Sequence, residues 1–235
     1  MHDYGLTRDD LSLVPVKAHR NGVKNPLAHF QKEITIDDVT NSRIVSDPLT
    51  LYDCCPTSDG AAAVVLASNR IVNEQRMKDR AVHVVGISHA TDYLAIQHRQ
   101  SLTSLNATRI AIEQVCKIAK LQLSDVDVFE LHDAFSILEL IHMEDLGLAE
   151  RGKAISLVAE GETEVSGSMP INPTGGLKSR GHPTGATGVA QIRDIVLQLR
   201  NESPTGLQID DPNIGLAQNI GGFGNNIVVS IFSNR

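Results

Sequence analysis

Apolar positions along the chain follow two rhythms. Residues 104–120 (SLNATRIAIEQVCKIAK), 136–148 (SILELIHMEDLGL) and 185–200 (GATGVAQIRDIVLQLR) repeat them every three or four positions, the spacing of helices with one buried face. Cys116 falls on the apolar face of the first of these. Residues 81–90 (AVHVVGISHA), 126–131 (VDVFEL) and 225–232 (NNIVVSIF) are short runs rich in β-branched side chains and read as strands. A further run, 61–68 (AAAVVLAS), is apolar throughout and is expected to be a buried strand. Strands alternating with helices of this length predict an α/β fold with its sheet covered on both faces.

The first fifty residues are more polar. HDYGLTRDDLSLVPVKAHRNGVKN reads as a helix, with Thr7 as N-cap and Asp9 and Asp10 in its first turn. Asn25-Pro26 marks a turn, and EITIDDVTNS (33–42) a short strand and loop serving as a connector. Asp53 to Gly60 is a loop. The charged stretch 69–80 reads as a solvated linker and places a domain boundary between 1–81 and 82–235.

Composition narrows the chemistry. The 235 residues carry 21 basic and 28 acidic side chains, a net charge of −7. No basic stripe of the kind that meets nucleic acid stands out. Aromatic residues are 3% of the chain and tryptophan is absent, which argues against stacking platforms for bases or sugars. Three cysteines, two of them adjacent, form no disulfide framework, so a reducing, cytoplasmic setting is expected. No apolar run approaches the roughly 20 residues that span a bilayer, and the first residues do not read as a signal peptide. His142 and Glu144 read as surface or edge positions of their helix, and no spacing matches a zinc site.

The chemistry concentrates at 172–188, NPTGGLKSRGHPTGATG, immediately before a helix. Glycine admits positive φ and close approach, and a helix start presents free N–H groups. His182, held between Gly181 and Pro183, is aimed as a base or as a donor to a developing oxyanion. Neither a Walker nor a dinucleotide fingerprint occurs.

This string resembles the thiolase signature, Asn-x-x-Gly-Gly followed by Gly-His-Pro-x-Gly-x-Ser/Thr-Gly, and departs from it where Lys178 replaces an aliphatic residue. Three more segments resemble the same family in its sterol-carrier-protein-2 type: Asp53 to Ala63 (DCCPTSDGAAA), His132 to Phe135 (HDAF) and Asn219 to Gly224 (NIGGFG). The resemblance implies a layered α-β-α fold in which each half is built as βαβαβαββ. The C-terminal half would be complete and the N-terminal half mostly absent. It also implies acyl-CoA thioester chemistry of the acetyl-CoA C-acyltransferase type, with coenzyme A as substrate and no resident cofactor. His182 would activate the nucleophile and line one oxyanion hole. His132 would replace the asparagine that orients a water there, and the Gly221 N–H would serve a second hole. Cys55, Pro56, Phe135, Gly181 and Asn219 would line the acyl-CoA site.

In the family that the chain resembles, the nucleophilic cysteine sits in the first half of the N-terminal domain, upstream of every segment seen here, and Cys54 and Cys55 do not match it. For these two, packing and a role in the ligand wall read equally well. Both places where the family keeps its second catalytic cysteine hold other residues, Ala134 and Asn219. The chain is therefore expected to be a fragment, a split-gene subunit completed by a partner chain that supplies the nucleophile, or a homo-oligomer. The alternatives are a thiolase-fold protein without thiolase activity, binding acyl-CoA or lipid or serving an aldolase-type complex, and a structural subunit whose loops are relics. Arg8, Lys17, Arg20, Lys24, Lys32 and Arg43 are candidates to meet the phosphates of coenzyme A, a solvated face being an equal reading for each.

Overall fold

The computed structural model describes residues 1–234. Helix α1 (Arg8–Gly22) starts at Thr7, whose side chain accepts from the Asp10 N–H while Asp10 reaches back to the Thr7 N–H. This reciprocal cap satisfies two donors that a helix start leaves free. Asn25 makes the expected turn, its Oδ1 accepting from the Leu27 N–H. The same device at Thr35 and Asp38 opens α2 (Ile36–Thr40), so the expected strand in EITIDDVTNS is corrected to a helical turn. A two-stranded ribbon follows, β1 (Ile44–Ser46) and β2 (Leu49–Thr50), then α3 (Asn69–Glu74).

The remainder forms one mixed sheet with helices on its faces. Its strands are β3 (His83–Thr91), β4 (Val128–Glu130), β5 (Ile214–Gly221) and β6 (Asn226–Ser233), in the order β3-β6-β5-β4. Only the β4–β5 pair is parallel. The third strand of the expected βαβαβαββ pattern is reduced to a single parallel bridge between Phe129 and Ile171. Helices α4 (Asn106–Ala119) and α5 (Ser136–Leu146) are followed by the short α6 (Ala154–Ala159) and α7 (Gly176–Ser179) and the longer α8 (Thr187–Leu199).

Strand alternation divides the core. Phe129, Leu216, Val229 and Ile231 point to the side of α4 and α5, in a cluster that also takes Leu11 and Val14 of α1. Val128, Ala217 and Phe232 point the other way, onto Ile195 and Leu199 of α8. Cys116 lies half-buried against the larger cluster. Helix α8 covers the β4–β5 side of its face and reaches β6 at Phe232. Beyond it, Val84 and Ile87 of β3 stand about half exposed beside Val228.

Two further expectations are overturned. Residues 61–68 form no strand: Val65 is 96% exposed and Leu66 82%. A strand needs neighbours to satisfy its ladder, and among the described residues none pairs with this segment. His142 is no edge residue: it is fully buried on the inner side of α5. No helix of the described residues is long and apolar enough to cross a membrane.

Candidate active site

Four loops that are far apart in sequence meet beside the carboxyl ends of β4 and β5. Asn172 begins the arrangement. Its Oδ1 accepts from the Leu131 N–H at 2.7 Å, and its Nδ2 donates to the buried Glu139 at 3.0 Å, so the loop after β4 is pinned to the glycine-rich segment. Asp133 then closes over α7, its Oδ1 accepting from the Leu177 N–H at 2.7 Å. Gly176, at φ +53°, lies where any Cβ would clash with the Asp133 carboxylate. The second glycine of one motif is thus demanded by the aspartate of another, and the first, Gly175 at φ +99°, by the close approach of Ala18 and Gly22 on α1.

Gly181 has φ +108°, and a Cβ there would stand 2.7 Å from Ser58 Oγ. The bare glycine lets Thr57 and Ser58 approach: Thr57 bridges His182, and the His182 N–H donates to Ser58 Oγ at 3.3 Å. Across the site the Cys55 N–H donates to Ala134 O at 2.9 Å, and Cys54 bridges Phe135. His132, His182, Asn219, Cys55, Phe135 and Gly181 therefore share one neighbourhood, with Pro56 between Cys55 and Thr57. Gly221 ends β5 two residues beyond Asn219, pairing with Asn226.

The two histidines face each other edge to face, ring centroids 4.9 Å apart. His182 Nδ1 lies 2.7 Å from Thr187 Oγ1, whose hydroxyl donates to Pro183 O at 3.0 Å. Having given its only hydrogen away, Thr187 accepts, so His182 carries its proton on Nδ1 and leaves the Nε2 lone pair free. Burial, with Arg180 nearby, lowers the pKa of His182. His132 is driven down to about 3 by burial, then by the facing His182 and by His142. Both rings are neutral at physiological pH.

Lys178 is wholly buried between these loops. Its Nζ donates to Asp53 O and, at 3.4 Å, to Ala134 O, and lies 5.9 Å from the Phe135 ring centre. Burial lowers its pKa to about 8, against the pull of Asp133 and Asp53. Burial raises the thiols of Cys54 and Cys55, with Lys178 pulling them back, so both are held as thiols and not as thiolates.

Sequence reasoning missed several supporting residues. Gln218 accepts from the His132 N–H through Oε1 at 3.0 Å and places its Nε2 3.2 Å from His142 Nδ1. Glu130, buried beside Arg180 and Asp194, is pushed up to about 8, chiefly by desolvation. Lys17 meets neither phosphate nor solvent: it is buried in an ion pair with Glu139 at 2.5 Å. Nothing local marked these residues, because each partner lies in a distant segment.

Residues 88–234 match the family described as Thiolase C-terminal domain-like. The chain is 43% identical over 233 residues to an acetyl-CoA acetyltransferase of Methanothermobacter thermautotrophicus, an alignment covering 99% of this chain and 60% of that protein. It is 39% identical over 235 residues to sterol carrier protein 2 of Bos taurus, covering 99% of this chain and 43% of that one. Among solved structures, a chain of an "Ltp2-ChsH2(DUF35) aldolase" superposes with a TM-score of 0.85 at 27% identity, over 100% of this chain and 61% of that chain.

Proposed function

Since the chain belongs to the thiolase family, in its sterol-carrier-protein-2 type and as the C-terminal portion, we propose that it supplies the proton-transfer half of an acyl-CoA C-acyltransferase. The observation that carries this reading is the His132–His182 pair, brought edge to face at 4.9 Å beside the Cys55 and Phe135 loops.

In thiolysis a thiol attacks the 3-oxo carbon of an acyl-CoA, the bond between Cα and that carbon breaks, and acetyl-CoA leaves as an enolate that needs a proton. His182, neutral with a free Nε2 lone pair, takes the thiol proton. A donor from His132 and the Gly221 N–H steady the oxygens on which charge develops. Neither Ala134 nor Asn219 has a side chain acidic enough to give up a proton, so the imidazolium formed on His182 is the acid at hand for the enolate carbon. Cys54 and Cys55, held protonated, are wall residues beside Phe135. The nucleophilic cysteine comes from outside this chain. The bare segment at 61–68 and the open β3–β6 face support further polypeptide, of the same protein or of another, that completes the assembly.

The test is intact-protein mass spectrometry of the purified chain after incubation with acetoacetyl-CoA. The chain alone stays unmodified. Supplying the N-terminal portion of a related acetyl-CoA acetyltransferase restores thiolysis, and His182→Ala then lowers turnover by about 10²–10⁴-fold with binding of acyl-CoA little changed. An acetyl-sized gain on Cys54 or Cys55 overturns the reading, as does a completed assembly that binds no coenzyme A.

A second reading is favoured by Ala134 and Asn219 standing where the family keeps a thiol, together with the likeness to an aldolase chain. Under it the same histidine pair serves retro-aldol cleavage. A completed assembly that cleaves a 3-hydroxyacyl-CoA and leaves a 3-oxoacyl-CoA intact decides for this alternative.

A further inference from the structure

The neighbourhood of His132 contains a chain of amides whose orientation is set at one end by the backbone. Gln191, fully buried on α8, places its Nε2 3.2 Å from Glu130 O and 3.0 Å from Gln218 O. Both are carbonyls and can only accept, so this end of Gln191 is its NH₂ and the other end its carbonyl oxygen. Gln191 Oε1 then faces the side chain of Asn219 at 2.8 Å, and an acceptor there demands that Asn219 present its NH₂. That same Nδ2 lies 3.2 Å from His132 Nδ1, which must therefore be the bare, accepting nitrogen.

We propose that Gln191 is a positioning residue that, acting through Asn219, fixes His132 as the Nε2–H tautomer and so commits it as a hydrogen-bond donor. The two rings then hold opposite proton arrangements. His182 carries its proton on Nδ1 and offers a lone pair at Nε2, whereas His132 offers a proton at Nε2. One is a base and the other a donor before any ligand arrives: His132 cannot exchange its proton arrangement without breaking an amide contact anchored on two strands, nor His182 without breaking its hydrogen bond to Thr187. Gly188, one turn before Gln191 on α8, makes room for the device: a Cβ there would stand 3.2 Å from Asn219 Cγ. The acyl-transfer reading above is needed only for the use made of the His132 proton. The tautomer itself is a property of the chain alone.

The experiment is nitrogen-15 NMR of the full chain labelled on histidine, recorded at neutral pH without substrate or partner, with the His132 signals assigned by their loss in His132→Asn. The wild-type chain shows His132 protonated on Nε2 and bare on Nδ1. A proton on Nδ1, or on both nitrogens, overturns the proposal. Gln191→Met keeps the volume and removes the amide; the Nε2–H signal is then lost to a mixture of tautomers, and an unchanged spectrum refutes a role for Gln191. Asn219→Asp puts an acceptor opposite Nδ1 and moves the proton there; if it does not, the contact to Asn219 does not set the tautomer. Should Gln191→Met fail to fold, the wild-type and Asn219→Asp spectra still decide. A chain that shows the Nε2–H tautomer but never supports thiolysis refutes the functional reading and leaves this one standing.

Discussion

Gly176 and Asp133 contend for the same space, and the conflict is resolved by the absence of a Cβ. Gly176→Ala adds left-handed strain of about 1–3 kcal/mol and displaces the carboxylate that caps α7, so denaturant melts show a loss of at least that size. His142 offers a second measurement. Its pKa is about 3 in the folded chain because burial penalises the charged ring, against an ordinary value of 6.5. Between those values the unfolded chain binds a proton that the folded chain refuses, so stability is lost as pH falls through this window. His142→Asn keeps an acceptor for Gln218 and removes the titration. The stability of the wild type relative to this variant therefore declines on acidification from about pH 6.5 to about pH 3, read by urea melts across pH. The glycine-rich loop at 172–188, its central histidine and the positive φ taken by glycines within it were legible in the sequence at this scale. The burial of His142 was not, since an amphipathic pattern does not say how deep a helix sits.

Helix α1 shows how an element is held in place by polar contacts as well as apolar ones. Lys17 Nζ reaches Glu139 on α5 at 2.5 Å and also donates to Thr163 Oγ1 and Ile171 O, both at 3.2 Å. A buried pair is costly to break from one side because the remaining charge has no partner. Lys17→Met alone is expected to cost about 3–5 kcal/mol. Adding Glu139→Gln, which still accepts from Asn172, recovers much of that loss, and a double-mutant cycle in chemical denaturation measures it. The ends of α1 and of α2 were both written locally. Thr7 and Asp10, like Thr35 and Asp38, are the same four-residue cap, and at residue 35 this local signal outweighs the alternating EITI pattern that suggested a strand. By contrast β5 carried no distinct periodic signal, and the third strand of the sheet shrank to Ile171 because its neighbours leave only one bridge.

At the scale of the whole molecule the sheet is closed on the α4–α5 side and open beyond α8. Residues 61–68 have strand composition with no strand beside them, leaving Val65 and Leu66 exposed. Val65→Lys with Leu66→Lys should leave thermal stability within about 0.5 kcal/mol while lowering association in light scattering and weakening assembly with the added N-terminal portion of a related acetyl-CoA acetyltransferase. A marked loss of stability would mean that the segment is packed within this chain. The sequence by itself determined the helices with clear caps or stripes, three of the four strands of the large sheet, the family and the set of loops that meet at the candidate site, because each depends on residues within a turn or two of one another. Only the tertiary structure decided that 61–68 stays bare, that Lys17 is internal, and which nitrogen of each histidine holds its proton. Those outcomes rest on contacts such as Gln191 with Asn219 and Lys17 with Glu139, 28 and 122 residues apart, whose meeting no local pattern encodes.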